Sequence, residues 1–173
     1  LAEAWLTVGN VDVVGTDMTS ASSFSRKGNP CGIAAEFCIN ADGHMVTSMY
    51  GASNSDNNRY GVLTGTSMSG PIVAGAVALL SEAFPNHTPE QLVDRILASA
   101  NNDFFTATGT TSFINGITHG YNSEYGHGML DLKAALSPIQ SSSMIPPSSG
   151  PFNSSNTNTV SYTHLRAHET YDH

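Results

Sequence analysis

The chain reads as an α/β protein, and three segments carry that reading. Leu6-Thr7-Val8-Gly9-Asn10-Val11-Asp12-Val13-Val14 is rich in β-branched residues and reads as a strand, with Gly9 marking a bend. The run from about Ser67 to Phe84 has helical length and is apolar on nearly every face, which predicts a buried helix. Thr88-Pro89-Glu90-Gln91 opens a second helix, with threonine as cap, proline at the first position and glutamine three residues on. Leu92, Val93, Ile96, Leu97 and Ala100 then recur as one stripe, so this helix is expected to pack on one side and be wet on the other.

The remaining elements follow in chain order. Residues 15–30 are rich in Ser, Thr and Gly and read as loop, and residues 44–50 as a second short strand. Residues 51–59 form a polar loop, and Tyr60, Gly61, Val62 and Leu63 lead into a turn before the long helix. Pro71 falls in that helix's first turn, where a missing N–H costs little. Residues 101–123 read as loop, and residues 125–130 as a tight turn or short strand. Asp131 caps a last short helix over 132–136, and residues 137–159, rich in Ser, Pro and Asn, read as a linker.

Residues 160–170, Val-Ser-Tyr-Thr-His-Leu-Arg-Ala-His-Glu-Thr, match the in-frame translation of a transposase sequencing adapter at eleven consecutive positions. Residues 160–173 are therefore read as non-native and set aside. Their removal takes out Arg166, Glu169 and Asp172, so a net charge of -8 becomes -7, and three of the seven histidines disappear. The acidic balance, with no Lys/Arg stripe, excludes nucleic acid as a partner. The longest strongly apolar run, residues 72–80, is too short to span a bilayer as a helix. Cys31 and Cys38 flank a short segment after Pro30. Spacing alone leaves two readings open, a disulfide or two buried thiols. Zinc lacks further ligands at the usual spacing, and no metal site is assigned.

One serine stands out. Leu63-Thr64-Gly65-Thr66-Ser67-Met68-Ser69-Gly70-Pro71 delivers Ser67 through small residues to the start of the long helix. There, backbone N–H groups are placed to hold a developing oxyanion. The plainer reading makes Thr66 and Ser67 helix caps. The esterase elbow needs glycine where Ser69 stands, and the pattern S-x-x-K fails at Gly70.

The longer string closely resembles the nucleophile motif of the subtilisin-like serine proteases: Gly65-Thr66-Ser67-Met68-Ser69-Gly70-Pro71, then Val73-Ala74-Gly75 and Ala78-Leu79-Leu80. The family usually has histidine after the proline, and Ile72 stands there in this chain. Residues 6–12, the segment Phe84-Pro85-Asn86-His87-Thr88 with Gln91-Leu92, and Tyr125-Gly126-His127-Gly128-Met129-Leu130-Asp131 resemble family motifs in the same order. The resemblance covers roughly residues 5–136. It implies the C-terminal portion of a three-layer fold with a mainly parallel sheet, incomplete in residues 1–136. Cys31-Gly32-x-Ala34-x-x-x-Cys38 resembles the cysteine pair of the autotransporter subtilases of Gram-negative bacteria, which implies a disulfide. The usual Pro-Gly after that segment is here Asp42-Gly43.

The implied activity is that of a serine endopeptidase acting on protein or peptide substrates. Ser67 would be the nucleophile, and its N–H an oxyanion donor. Gly65 and Thr66 would shape the turn, and Met68 would flank the leaving-group side. The family's catalytic Asp, His and oxyanion Asn all precede the serine, and none of their motifs is found. His44 lacks the family's context, and His119 and His127 follow Ser67. Asp12, Asp17 and Asn10 lie outside the family's Asp and Asn motifs. All six are read as surface, turn or capping residues.

The chain is accordingly expected to be an inactive, poorly folding C-terminal part of the catalytic domain, with residues 72–80 lacking cover. The competing reading is a non-catalytic subtilase-like structural or passenger domain. No cofactor is implied for these residues. Calcium is common in the family, and no complete site carries over. The autotransporter resemblance further implies secretion or display at the outer membrane, with a downstream β-barrel translocator as partner.

Overall fold

A computed structural model of the chain describes residues 5–15, 19–49, 60–113 and 116–137. All but the first residue of the linker read over 137–159, the polar loop over 51–59, the adapter-like residues 160–173 and Asp17 lie outside the described residues. The described strands are β1 (Thr7–Val13), β2 (Phe24–Arg26), β3 (Cys38–Ala41), β4 (Val46–Met49), β5 (Tyr60–Leu63), β6 (Gly109–Ser112) and β7 (Thr118–Tyr121). The helices are α1 (Thr66–Ala83), α2 (Pro89–Ala98) and α3 (Leu132–Leu136).

The central sheet has the order β2-β1-β3. β1 pairs in parallel with β3, Asn10 opposite Ala41, and antiparallel with β2. This β1–β3 ladder represents, among the named strands, the parallel sheet that the resemblance implies. Residues 127–130 extend it along the free edge of β3. His127 N donates to Cys38 O at 2.9 Å, Asn40 N to Gly128 O at 2.8 Å and Leu130 N to Asn40 O at 2.8 Å. The hairpins β4–β5 and β6–β7 are separate antiparallel pairs. β2 and β6–β7 fall in stretches expected to be loop: short, Ser/Thr/Gly-rich strands are held by ladder bonds rather than by a hydrophobic pattern.

The second helix starts as its residues dictate. Gln91 N donates to Thr88 Oγ1 and Thr88 N donates to Gln91 Oε1, a complete capping box. Leu92, Val93, Ile96, Leu97 and Ala100 are all buried, together with Leu80, Phe84, Ile39 and Ala135. Each buried Leu, Ile, Val or Phe among them contributes roughly 1.5–3 kcal/mol. The far side is drier than expected, with Arg95 and Ala98 also buried. Arg95 Nε donates to Ala135 O at 2.6 Å and Nη2 to Ser137 O at 2.5 Å, so the guanidinium ties α3 across α2. Its carbon lies 3.8 Å from the Phe84 ring centre.

The expectation of a wholly buried long helix is corrected. α1 buries Ser69, Val73, Ala76 and Leu80, while Ile72 and Leu79 are exposed. The sheet and α2 approach α1 from the side of that stripe, and among the described residues nothing covers the rest. A second core joins Val11, Phe24, Phe104 and Met129, with the Phe24 and Phe104 rings stacked at 3.9 Å. Among the described residues no helix is long and apolar enough to cross a membrane.

Candidate active site

The turn before α1 is built by backbone. Gly65 is the N-cap with φ 156°, a conformation that side chains disfavour, and no side chain caps the helix. The capping role considered for Thr66 and Ser67 is therefore not the one they have. Gly65 O accepts from Met68 N at 2.9 Å and Ser69 N at 3.3 Å, closing the first turn. Ser67 is exposed on that turn, and its N–H donates to nothing among the described residues, as first-turn N–H groups do. An open donor beside an exposed hydroxyl at a helix N-terminus is the arrangement that stabilises charge developing on an acyl oxygen.

Two buried residues support the turn from below. Ser69 is fully buried and its Oγ donates to Ala41 O at 3.1 Å, fastening α1 to the end of β3. Gly43 passes beneath the turn, and its carbonyl accepts from Gly65 N at 3.0 Å. A Cβ at Gly43 would meet Ser69 Oγ at 2.3 Å and Gly65 O at 2.6 Å, so only glycine fits. Asn10 Oδ1 accepts from Gly43 N at 2.9 Å. In the sequence Asp42-Gly43 is only a departure from a motif and Asn10 reads as a surface, turn or capping residue; the alternation of β1 gives no sign that a polar side chain points inward there.

Gly65 and Thr66 also wall an open cleft of about 610 Å3, whose other walls are Val8, residues 27–31 and Cys38. Cys31 and Cys38 are joined by a disulfide at the edge of this cleft. The pair ties the turn after Pro30 to the start of β3.

His44, His119 and His127 fall into two groups, neither hydrogen-bonded to Ser67 among the described residues. On one side Asp12 Oδ2 lies 3.4 Å from Lys27 Nζ and 3.9 Å from His44 Nε2. His44 Nδ1 lies 3.3 Å from Thr64 Oγ1, so that chain of groups ends on Thr64. On the other, His119 Nδ1 and His127 Nδ1 are 3.0 Å apart. His119 Nε2 is 3.0 Å from Ala100 O and His127 Nε2 is 3.2 Å from Glu36 O. His127 and Asn10 are fully buried, which corrects their reading as surface, turn or capping residues. Tertiary packing of residues 127–130 against β3 encloses His127. Burial first, then the charge of His119, pushes the His127 pKa down to about 4, and burial also lowers that of His119. Both rings are neutral at neutral pH. Among the described residues no three His, Cys, Asp or Glu side chains converge as metal ligands.

The serine turn, the β1–β3 ladder and the first two residues of the edge segment 127–130 lie within residues 1–128, and those residues match the model of the Subtilase family, peptidase S8. The chain belongs to the subtilase family. Among curated relatives, the thermostable alkaline protease of Halalkalibacterium halodurans is 39% identical over 85 residues, 49% of this chain and 21% of that protein. The extracellular serine protease of Serratia marcescens is 24% identical over 153 residues, 79% of this chain and 13% of that protein. Among solved structures, fervidolysin from Fervidobacterium pennivorans, a keratinolytic enzyme related to subtilisin, is similar with a TM-score of 0.52 and 23% identity. That likeness covers 76% of this chain and 19% of fervidolysin and shows the shared fold. This subtilase chain thus spans about a fifth or less of the length of these relatives.

Proposed function

We propose that the whole protein carrying this subtilase chain is a serine endopeptidase that forms its acyl-enzyme on Ser67. The observation that carries the reading is the exposed Ser67 hydroxyl beside an open N–H at the start of α1, inside the family-matched segment. Ser67 Oγ attacks a peptide carbonyl carbon, and the C–N bond breaks as the amine leaves with a proton. Water then hydrolyses the ester, releasing the acid and restoring the hydroxyl. The Ser67 N–H is assigned one bond to the oxyanion, Gly65 and Thr66 the shape of the turn, and Met68 the leaving-group side. Sulfoxidation of Met68 would lower activity there. The base is assigned to a histidine of the whole protein outside the described residues, since His44, His119 and His127 hold other partners.

The substrates are proteins or peptides, as the protease names of the relatives suggest. Secretion is supported by the disulfide and by the extracellular relative of Serratia marcescens. Display at a Gram-negative outer membrane through a downstream β-barrel translocator is the narrower proposal, resting on the spacing of Cys31 and Cys38.

A fluorophosphonate probe tests the reading. The whole protein is expected to be labelled at Ser67, and Ser67→Ala to abolish labelling. This chain alone is expected to label only at background, because loss of base activation costs about 10²–10⁴ in rate. No labelling of the whole, folded protein would favour the non-catalytic structural domain instead, a reading to which the lack of a base on Ser67 among the described residues gives its weight.

A further inference from the structure

Asn10 is fully buried on β1, yet among the described residues its side chain makes one hydrogen bond, Oδ1 accepting from Gly43 N at 2.9 Å. Its Nδ2 has no partner among the described residues. An apolar side chain would fill the site without stranding an amide nitrogen, so what the carboxamide contributes is its acceptor oxygen. That oxygen begins a track of hydrogen bonds to the turn that carries the serine. Gly43 O accepts from Gly65 N at 3.0 Å, and Gly65 O accepts from Met68 N and Ser69 N. The track runs from the centre of the sheet, where Asn10 is paired with Ala41. Ala41 O in turn holds Ser69 Oγ. The serine turn is thereby gripped at two points by adjacent strands, and a Cβ at Gly28 would lie 3.3 Å from Thr66 and 3.7 Å from Asn10, closing the remaining space.

We propose that Asn10 is a positioning residue for Ser67: its carboxamide oxygen fixes the Gly43 peptide, which aims the Gly43 carbonyl at Gly65 N–H and so sets the direction of the Ser67 hydroxyl. The inference rests on Ser67 being the nucleophile. Asn10 touches neither substrate nor reacting atoms, and it acts through Gly43 and Gly65.

The test uses the whole protein that carries the chain, with Asn10→Leu removing the acceptor and Asn10→Asp keeping it. Two quantities are read: amide hydrogen exchange at Gly43 and Gly65, and fluorophosphonate labelling of Ser67 with kcat and KM on a peptide substrate. Asn10→Leu is expected to raise exchange at both amides by about tenfold or more while the β6–β7 amides stay protected. Labelling and kcat are expected to fall roughly 10–100-fold with KM little changed, and Asn10→Asp to restore exchange and rate together. Unchanged Gly65 exchange in Asn10→Leu overturns the proposal, as does an Asn10→Asp protein that is folded yet as slow as Asn10→Leu. If leucine disturbs the β6–β7 amides, Asn10→Ala is read by the same criteria. Absence of labelling in the wild type would strike the nucleophile reading itself. The exchange arm would still decide whether Asn10 holds the turn, with raised exchange supporting it and unchanged exchange overturning it.

Discussion

Lowering the pH from 7 to 4 forces a proton onto a ring that this fold holds away from water. His127 is fully buried, its ring 5.5 Å from that of Tyr121 and 5.6 Å from that of Phe113. Its Nε2 faces Glu36 O, and its Nδ1 faces His119 Nδ1. Three contacts serve the two rings, whereas two neutral rings carry two protons, so one contact lacks a hydrogen at neutral pH. Burial of the cation outweighs that deficit and brings the His127 pKa from 6.5 to about 4. Asp103 and the backbone at Ala100 and Gly120 pull the other way on His119 without overcoming its burial. Among the neighbouring acidic groups, the Glu36 carboxylate accepts from Tyr121 Oη at 2.8 Å.

The sign follows from proton counts. Between pH 6.5 and 4 the unfolded chain binds a proton at His127 that the folded chain refuses, so stability falls as the pH falls and is complete above 6.5. A shift of this size corresponds to about 3 kcal/mol, a large share of the roughly 5–15 kcal/mol of an ordinary domain. The assay is an NMR titration of the imidazole signals beside urea unfolding at several pH values, for the wild type and His127→Phe. The wild type is expected to lose about 3 kcal/mol more than the variant between pH 7 and 4. A His127 titration near 6.5, or equal pH slopes in the two proteins, would refute the reasoning.

Three further outcomes are expected. Gly43→Ala places a methyl 2.3 Å from Ser69 Oγ and is expected to abolish labelling of Ser67 in the whole protein while its far-UV circular dichroism is retained. Breaking the Cys31–Cys38 link with Cys31→Ser and Cys38→Ser together is expected to cost about 2–3 kcal/mol in urea unfolding, from the short loop it closes. Arg95→Met loses the bonds to Ala135 O and Ser137 O and the stacking on Phe84, for an expected loss of about 2–4 kcal/mol that Arg95→Lys does not restore, because an ammonium cannot span both carbonyls. Trypsin susceptibility at Lys133 offers a second measure, since α3 is expected to detach in both variants.

The residues alone determined the elements whose causes are local. The capping box at Thr88 and Gln91, the apolar stripe of α2 and the Asp131 cap on α3 each follow from neighbours within a few positions. The start of α1 and the place of Ser67 upon it were legible for the same reason, because small residues around Gly65 leave few other conformations. Tertiary structure decided everything that depends on what lies opposite. Which face of α1 is covered, and the packing of Arg95 under α3, are set by elements far away in sequence. The burial of His127 is set by the pairing of residues 127–130 with β3. The support of the serine turn belongs here too: Asn10, Gly43 and Gly65 are joined by bonds spanning 33 and 22 positions, and no local pattern records them. The sequence singled out the candidate serine, and the fold supplied the strands that hold its turn in place.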